Sequence, residues 1–218
     1  MHRGILFDFD GVLAETMEDF FLAWETVFKE FGYSVSKEEF FLMEGMHTTE
    51  VASVFCKKGD IQNSQIENIL RKKEAYYAKN HKFKFYPGVE NLISNLKRNK
   101  VPLGIVTAGT KDRLVRTVLA DFLSNFDSIV TKETEGNGKP FPDPYLRGAS
   151  DLNLSPTECI VIENAPMGIK AAKSACAYCV AITSTLTKKY LSEADAVVEN
   201  FSELAKLEAI NELINDEK

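Results

Sequence analysis

The sequence has no apolar run long enough to span a lipid bilayer. It also lacks the clusters of Lys and Arg that bind a nucleic-acid backbone, and its 26 basic residues are outnumbered by 32 acidic ones, for a formal net charge of -6. The N-terminal apolar run is not typical of a secretory leader, because Asp8 and Asp10 interrupt it. We therefore expect a cytoplasmic protein that binds neither membranes nor nucleic acid, and we expect it to act as a monomer.

Cysteine is scarce, with four residues at Cys56, Cys159, Cys176 and Cys179. The last two form a C-x-x-C pair, but no second pair with metal-ligand spacing accompanies them, and a closed zinc site needs four ligands. Thiols of cytoplasmic proteins stay reduced. We expect all four to be buried structural residues. The sequence also lacks a G-x-G-x-x-G motif after its first apolar run, which argues against dinucleotide binding.

Short apolar runs alternate with helical patterns along most of the chain. Alternation of this kind is typical of a parallel, doubly wound sheet with helices on both faces. The predicted strands are Gly4–Phe9, Leu103–Thr107, Ser128–Thr131, Cys159–Glu163, Cys179–Thr183 and Ala196–Val198, and the predicted helices between and after them are Val89–Arg98, Asp112–Asp121, Pro144–Asp151, Pro166–Ala175 and Phe201–Ile214.

The stretch that follows the first strand has helical periodicity alone. Predicted helices cover Thr16–Phe31, Glu50–Phe55 and Ile66–Tyr77, and Ser36 with Glu39 has the spacing of a capping box. The sequence thus predicts an α/β fold: a Rossmann-like doubly wound core made of residues 1–14 and 83–218, interrupted by a small helical cap made of residues 15–82. We expect the last residues, 215–218, to fray.

Polar side chains follow the predicted strands where ligands bind such sheets, at the carboxyl ends. Asp8 and Asp10 end the first strand, and residues at i and i+2 of an extended chain point to one side. Gly11 then permits a sharp turn and a close approach to a ligand. Alone, a D-x-D pair is more often two solvated acids in a turn.

Two further strand ends have the chemistry of a phosphate site. Thr107 with Ala108 and Gly109 offers a hydroxyl and backbone N–H groups ahead of a helix, although Thr107 alone is more often a cap or turn residue. Lys139 lies within a loop made stiff by three prolines, where an otherwise ordinary surface lysine becomes a candidate phosphate clamp.

The fourth strand ends in Glu163 and Asn164. Their side-chain oxygens suit a hard cation. The basic run Arg71-Lys72-Lys73, by contrast, is typical of a solvated helix face.

Taken together, these motifs resemble the haloacid dehalogenase superfamily, in its branch of β-phosphoglucomutase and phosphoglycolate-type phosphatases. The family pattern consists of D-x-D-G near the N-terminus, a Ser or Thr after the second core strand, a G-K-P-x-P-D-x-Y loop, and an acidic pair followed by a small segment and Gly. All four occur here in that order and across the whole chain. The helical insert resembles the small helical cap of the family.

The resemblance implies a phosphatase that uses Mg²⁺ and a small phosphorylated metabolite. It implies Asp8 as the nucleophile, Asp10 as the general acid and base, and Thr107 with Lys139 as the groups that hold the phosphoryl oxygens. It implies Mg²⁺ held by Asp8, the backbone carbonyl of Asp10 and Glu163. Lys139 is also expected to keep Asp8 ionised.

This chain departs from the family pattern at Asn164, where the branch usually has aspartate. An amide oxygen still coordinates a cation, directly or through water, but with one negative charge fewer, so we expect weaker Mg²⁺ binding. On the cap, Gly45 matches a small residue of the family's substrate loop. Its neighbours Glu44 and His47 are candidate substrate contacts, with a solvated helix face as the alternative for Glu44 and an incidental exposed residue as the alternative for His47.

Hydrolysis is the expected reaction, but two other functions of the branch stay open. Family mutases carry a histidine at the position that aligns with Phe20 and an arginine at the position that aligns with Thr48. Neither residue of this chain replaces those contacts, which argues against a phosphosugar mutase of the β-phosphoglucomutase type. Glu44 with Asn164 resembles a subgroup that includes inorganic pyrophosphatases. A non-enzymatic binding module is disfavoured by the intact set of motif residues.

Overall fold

The computed structural model describes residues 2–134 and 136–215 of the chain. Six parallel strands form one sheet in the order β3-β2-β1-β4-β5-β6, which confirms the predicted α/β fold with a doubly wound core. The strands are β1 (Gly4–Phe7), β2 (Leu103–Val106), β3 (Ser128–Val130), β4 (Cys159–Glu163), β5 (Tyr178–Ile182) and β6 (Ala196–Val198).

The central strand β1 lies at the point where the strand order reverses. Ile5 is in register with Leu103 of β2 on one side and with Ile160 of β4 on the other. All residues of these three strands are buried, as expected for the middle of a parallel sheet covered on both faces. In such sheets the carboxyl ends beside the reversal point form a crevice.

Helices lie on both faces of the sheet and, in the stretch directly after β1, in a block that packs mainly on itself. They are α1 (Met17–Lys29), α2 (Lys37–Leu42), α3 (Thr48–Lys58), α4 (Ile66–Asn80), α5 (Val89–Arg98), α6 (Lys111–Thr117), α7 (Ala120–Leu123), α8 (Asp143–Asp151), α9 (Pro166–Ser174), α10 (Phe201–Leu204) and α11 (Glu208–Asn215). In the described residues, no helix has both the length and the apolar character needed to cross a bilayer. Asn215, one of the residues expected to fray, ends α11, and 216–218 lie outside the described part.

Two predicted helices are each divided in the structure. The predicted helix Asp112–Asp121 breaks at Val118, whose backbone is extended, and continues as α7. The predicted helix Phe201–Ile214 breaks between α10 and α11. There, Leu204 and Ile210 are both fully buried in one cluster, although positions six residues apart lie on different sides of a straight helix. The breaks let both segments turn apolar residues inward.

The sheet separates two hydrophobic clusters. Successive residues of β1 point to opposite faces, so Ile5 and Phe7 join the cluster under α5 and the C-terminal helices, while Leu6 joins the other. That second cluster continues into the helical block, where rings of α1 and α3 pack at centroid distances of 5.5 Å (Phe28 with Phe55) and 6.3 Å (Trp24 with Phe55).

Residues 17–80 form the helices α1–α4, and α4 packs along α1. The limits 15–82 for a separate cap domain stay a prediction. The capping box predicted at the start of α2 is half formed. Ser36 Oγ accepts the Glu39 N–H at 3.3 Å, whereas the Glu39 carboxylate accepts from Lys58 at 2.8 Å. The Glu39 side chain forms a salt bridge with Lys58 of α3, so it does not accept the Ser36 N–H as a full capping box requires.

The chain leaves and re-enters the core through two connections that pair with each other. Ala14 and Phe85 form an antiparallel bridge. Backbone hydrogen bonds on either side of it join Glu15 to Lys84 at 3.0 Å and Tyr86 to Leu13 at 3.1 Å. The helical block is therefore attached to the core by two adjacent segments of backbone.

The cysteines are free, and three of them are buried as predicted. The prediction is wrong for Cys176, which is exposed. Its φ of 64° places it in the left-handed turn after α9, where the chain reverses toward β5 at the surface.

Candidate active site

The site begins at the end of the central strand. Asp8 directly follows β1, and its N–H donates to the carbonyl of Ile162 in β4 at 2.9 Å. This bond continues the ladder for one more residue and fixes the direction of the Asp8 side chain. The residue is 6% exposed, so its carboxylate lies at the floor of a crevice.

Lys139 joins two strand ends through its buried ammonium. The Nζ atom donates to Asp8 Oδ1 at 2.6 Å, to Glu163 Oε1 at 2.6 Å and to the carbonyl of Val106 at 3.3 Å. A turn closed by the Phe141 N–H on the carbonyl of Gly138 at 3.0 Å holds the lysine loop. The predicted clamp thus lies between the two carboxylates assigned to the site.

Glu163 is held on both of its oxygens. Oε1 accepts the Tyr145 hydroxyl at 2.7 Å, and Oε2 accepts the backbone N–H groups of Asn164 at 2.9 Å and Ala165 at 3.2 Å. A side chain at Gly168, in the first turn of α9, would overlap the Glu163 carboxylate. The carboxylate therefore has one orientation, aimed at Lys139.

Burial and charge act against each other on Asp8. Burial raises the pKa of Asp8 to about 7, although the Lys139 ammonium lowers it, because Glu163 competes for the same ammonium and repels Asp8. Burial also lowers the pKa of Lys139, but the attraction of both carboxylates outweighs it and leaves that pKa above its usual value. Lys139 alone therefore favours the ionised form of Asp8 less than expected. A second positive charge nearby would lower the pKa of Asp8 further and keep it ionised.

Asp10 forms an ion pair that the sequence did not reveal. Its Oδ1 accepts from the Thr16 hydroxyl at 2.6 Å and from Arg113 Nη1 at 2.9 Å, and its Oδ2 accepts from Arg113 Nη2. Burial raises the pKa of Asp10, but the charge and hydrogen bonds of Arg113 and Thr16 outweigh burial and bring the pKa below its usual range.

Thr107, Ala108 and Gly109, the predicted phosphate-binding segment after β2, form one hydrogen bond among themselves. Thr107 is 5% exposed, and its hydroxyl accepts the Gly109 N–H at 3.0 Å. Ala108 and Gly109 line the crevice with Asp8. A side chain at Gly109 would overlap the Arg113 guanidinium, so this glycine makes room for the arginine that binds Asp10.

The cap loop meets the core at Asn164. Asn164 Nδ2 donates to Glu44 Oε2 at 2.7 Å and to Thr185 Oγ1 at 3.0 Å. Burial, together with the nearby carboxylate of Asp8, raises the pKa of Glu44 well above its usual value. Glu44 therefore faces the core rather than a solvated helix face. A side chain at Gly11, whose φ is 78°, would overlap Asn164.

Gly45 and His47 lie on the same loop. The φ of Gly45 is 91°, and the side chain of Lys139 lies 3.5 Å from the place where a Cβ would stand. A larger residue there would be strained and would crowd the lysine. His47 is exposed at the start of α3 and lines the mouth of the crevice.

The crevice is a cavity of about 740 Å³ between the sheet edge and the helices α1–α4. Its floor is charged and its opposite wall is largely aromatic. The floor contains Asp8, Asp10, Arg113, Lys139 and Glu163, and the aromatic wall contains Phe20, Trp24, Phe40, Tyr77 and Phe83. A volume of this order accommodates a small metabolite.

Lys73 also lines this cavity, which corrects the interpretation of its basic run as a solvated face. The residue is 2% exposed, and its ammonium lies 5.3 Å from the ring centroid of Phe20 and 5.4 Å from that of Trp24. A signal was present in the sequence, because Ile69, Lys73 and Tyr77 recur at four-residue spacing and form the buried face of α4.

The donor set fits a hard cation. Asn164 Oδ1 is buried and has no hydrogen-bond partner among the described residues, and the same is true of Glu44 Oε1. Unpaired buried oxygens are costly and are often completed by an ion. The described residues contain no group of three or more His, Cys, Asp or Glu that would hold a metal by side chains alone. A cation here would need backbone and amide oxygens as well, which are common ligands of hard cations.

Curated proteins of similar sequence cover nearly the whole chain. One is validoxylamine A 7'-phosphate phosphatase of Streptomyces hygroscopicus subsp. limoneus, 28% identical over 94% of this chain and 96% of its own length. Another is the β-phosphoglucomutase of Bacillus subtilis (strain 168), 28% identical over 96% of this chain and 94% of its own length.

Solved structures agree with the sequence comparison. The crystal structure of a β-phosphoglucomutase from Clostridium difficile superposes with a TM-score of 0.81 at 26% identity, covering 99% of this chain and 98% of that one. The model of the haloacid dehalogenase-like hydrolase family matches residues 5–182, which include every motif described above. The chain therefore belongs to the haloacid dehalogenase-like hydrolase family, as its four motifs predicted.

Proposed function

We propose that the protein is a magnesium-dependent phosphatase that hydrolyses a small phosphorylated metabolite through an aspartyl-phosphate on Asp8. One observation carries the proposal: the Asp8 carboxylate is buried at the floor of the cavity, 2.6 Å from the Lys139 ammonium, at the carboxyl end of the central strand. A carboxylate placed there is shielded from bulk water and faces the space where a phosphate ester would bind.

The chemistry then follows in two transfers. An oxygen of Asp8 attacks phosphorus, the bond from phosphorus to the leaving oxygen breaks, and Asp10 gives that oxygen a proton. In the second transfer Asp10 takes a proton from water, which attacks the aspartyl-phosphate and releases inorganic phosphate and free Asp8. Thr107 and Lys139 would hold the phosphoryl oxygens as charge shifts between them, and the contact of Lys139 with Asp8 supports this role.

The residues that would hold Mg²⁺ are Asp8, the backbone carbonyl of Asp10, Glu163 and Asn164. When bound, the cation supplies positive charge that draws electron density from the phosphoryl group and aligns it for in-line attack. The unpartnered Asn164 Oδ1 and the raised pKa of Asp8 both support a positive charge at this place.

Pyrophosphate is the second candidate substrate, and the position of Glu44 favours it. Its carboxyl group reaches the core beside Asn164, with Oε1 unpartnered in the described part of the chain. An acid there tolerates a second phosphate only if another cation lies between them. The cavity of about 740 Å³ is large for pyrophosphate, which supports the ester of a larger metabolite as the first candidate.

Mutase activity is less well supported. Phe20 stacks on Tyr77 at a centroid distance of 4.3 Å and has no group that donates or accepts a hydrogen bond. Thr48 is exposed at the first turn of α3. Neither side chain supplies the contacts expected of a mutase, namely an imidazole near Asp10 or a guanidinium for a distal phosphate.

The proposal is tested by measuring phosphate release from a panel of phosphorylated metabolites, p-nitrophenyl phosphate and pyrophosphate, with Mg²⁺ and with excess chelator. Magnesium-dependent release that is lost in Asp8→Asn is expected. A parallel incubation with β-glucose-1-phosphate and a trace of its bisphosphate tests the mutase. Formation of glucose-6-phosphate that outpaces phosphate release would overturn the hydrolase assignment.

A further inference from the structure

The ion pair between Asp10 and Arg113 joins the segment after β1 to helix α6 at the cavity floor. Arg113 belongs to α6, and its two terminal nitrogens donate to both oxygens of Asp10. The side chains are 15% (Asp10) and 18% (Arg113) exposed, and both line the cavity. A bidentate pair of this kind is specific in geometry and strongly held.

This pairing conflicts with the chemistry proposed for Asp10. Both carboxylate oxygens are engaged, because Oδ1 also accepts from the Thr16 hydroxyl. The Arg113 fork and the Thr16 hydroxyl together hold the carboxylate in one orientation. For Asp10 to turn toward a leaving group, Arg113 has to release at least one of its oxygens, and another anion must then take the guanidinium if it is to stay buried.

The surroundings of Arg113 fit such an exchange. The guanidinium lies 5.2 Å from the ring centroid of Phe20 and 6.0 Å from that of Phe9, so aromatic faces stabilise its charge without neutralising it. The Arg113 guanidinium occupies the space that a side chain at Gly109 would fill, so the glycine lets the arginine lie against the backbone at the cavity floor. Lys132 lines the same cavity and adds a positive charge, whereas Arg116, which also lines it, pairs with Asp112 at 3.0 Å.

The rings also indicate which part of a substrate Arg113 would meet. Asp8 and Arg113 both belong to the charged floor, but Arg113 also contacts Phe20 of α1, which belongs to the aromatic wall. A substrate bound to Asp8 by its phosphoryl group would have to extend from the floor toward that wall. Its leaving portion would therefore approach Arg113.

We propose that Arg113 selects substrates with a second anionic group, a carboxylate or a phosphate on the leaving portion, and exchanges Asp10 for that group. The inference rests on the proposed phosphatase function and names the class of substrate that the same site takes. Exchange couples specificity to chemistry: an anionic substrate occupies the guanidinium and frees Asp10 for proton transfer, while a neutral phosphate ester leaves the pair closed.

The first test is binding, with two esters that differ in one group. 3-Phosphoglycerate and glycerol 3-phosphate have the same carbon skeleton, with a carboxylate in the first where the second has a hydroxymethyl group. Calorimetric titration uses the Asp8→Asn protein with Mg²⁺, so that neither ester is turned over. The carboxylate ester is expected to bind about tenfold more tightly, as charge-assisted hydrogen bonds imply. Adding Arg113→Gln is expected to abolish that preference, and Arg113→Lys, which keeps the charge without the fork, to restore part of it.

A matched control removes an arginine elsewhere. Arg147→Gln deletes the same charge from α8, where the side chain is 54% exposed and pairs with Asp151, and it is expected to leave the preference unchanged. Equal affinities for the two esters, no measurable binding of either, or a preference that survives Arg113→Gln would each overturn the proposal.

Kinetics on the protein with Asp8 intact separates this inference from the general function. Arg113→Gln is expected to raise KM for the carboxylate ester about tenfold, and to raise kcat for p-nitrophenyl phosphate because Asp10 is freed. Loss of kcat for the carboxylate ester and for p-nitrophenyl phosphate, with KM unchanged, would show that Arg113 supports the fold alone and would overturn the inference. Failure of the wild-type protein to release phosphate from any substrate would instead reject the proposed function, while the binding test still decides the role of Arg113.

Discussion

The ammonium of Lys139 donates to the carboxylates of Asp8 and Glu163, and the guanidinium of Arg113 donates to that of Asp10. Removing one member of such a buried pair leaves a charge without compensation, which costs more than the pair contributes. The effect of a substitution at the cavity floor on stability therefore depends on which charged side chain is left buried without its partner. The expected effects on activity are separate from this, since they depend on the role of each group in the reaction.

Asp8→Asn is expected to abolish phosphate release while leaving the fold intact. An amide is not a competent nucleophile, but it keeps an acceptor for Lys139, and Lys139 keeps Glu163 at 2.6 Å. Turnover is measured by phosphate release and stability by urea denaturation. Phosphate release near the wild-type rate would contradict the assignment of Asp8 as nucleophile.

Asp10→Ala is expected to lower turnover by about 10²- to 10⁴-fold, the usual contribution of general acid-base catalysis. It should also cost about 1–3 kcal/mol of unfolding free energy, because Arg113 loses its partner. Asp10→Asn is the matched control, since the amide still accepts from Arg113 and should cost less stability with a similar loss of rate. A fall in rate of less than tenfold in both variants would remove Asp10 from the proposed chemistry.

At the scale of single elements, strands were easier to predict than the ends of helices. Each predicted strand lies within two residues of its place in the structure, because buried parallel strands leave continuous apolar runs. The breaks at Val118 and after Leu204 left no comparable mark. They arise because residues on both sides of each break pack into a core formed with distant parts of the chain. The local sequence pattern does not contain that information.

The candidate site shows the same limit. Asp8, Lys139 and Glu163 were predictable because they stand at strand ends, where the topology brings them together. Arg113 was not, since it lies inside a short helix, and the residue with which it pairs is 103 positions away. The burial of Lys73 followed from helical spacing, yet charge alone suggested a solvated side chain.

Helix α6 positions Arg113, and two side chains, Thr110 and Glu133, accept hydrogen bonds from its first N–H groups. Thr110 Oγ1 accepts the Arg113 N–H at 3.2 Å. Thr110→Ala is therefore expected to cost about 1 kcal/mol of unfolding free energy, measured by urea denaturation. Thr110→Ser keeps the cap and should lie close to the wild type. If Thr110→Ser were as unstable as Thr110→Ala, the effect would come from lost packing of the methyl group, and the cap would not be its cause.

At the scale of the whole molecule, the site concentrates charges of both signs within a protein of net charge -6. Lys73, Arg113, Lys132 and Lys139 line one cavity, and so do Asp8, Asp10, Glu44 and Glu163. An anionic substrate therefore meets positive charge at particular side chains and not a positive field of the whole protein. Because the carboxylates oppose these charges, the balance at the reacting phosphoryl group depends on added positive charge.

Activity is accordingly expected to require a divalent cation, with Mg²⁺ effective and Ca²⁺ poor. Ca²⁺ takes more ligands in a looser geometry, which disturbs in-line attack. Phosphate release is measured across Mg²⁺ and Ca²⁺ concentrations. Glu163→Gln should raise the Mg²⁺ concentration that gives half-maximal activity, because it removes one charged oxygen ligand. Full activity in excess chelator would rule out the metal role of Glu163.

The bridge between Ala14 and Phe85 places the two ends of the helical block side by side. A segment of about seventy residues is thus inserted at one point of the core, and neither end has to cross the sheet. Modules attached in this way are exchangeable: a different set of helices, or a short turn, spliced between these two positions would leave every strand of the sheet connected as before. The residues at the strand ends and the helices that face the substrate lie in separate parts of the chain. In evolution, the helices can therefore change while the strand-end residues stay the same.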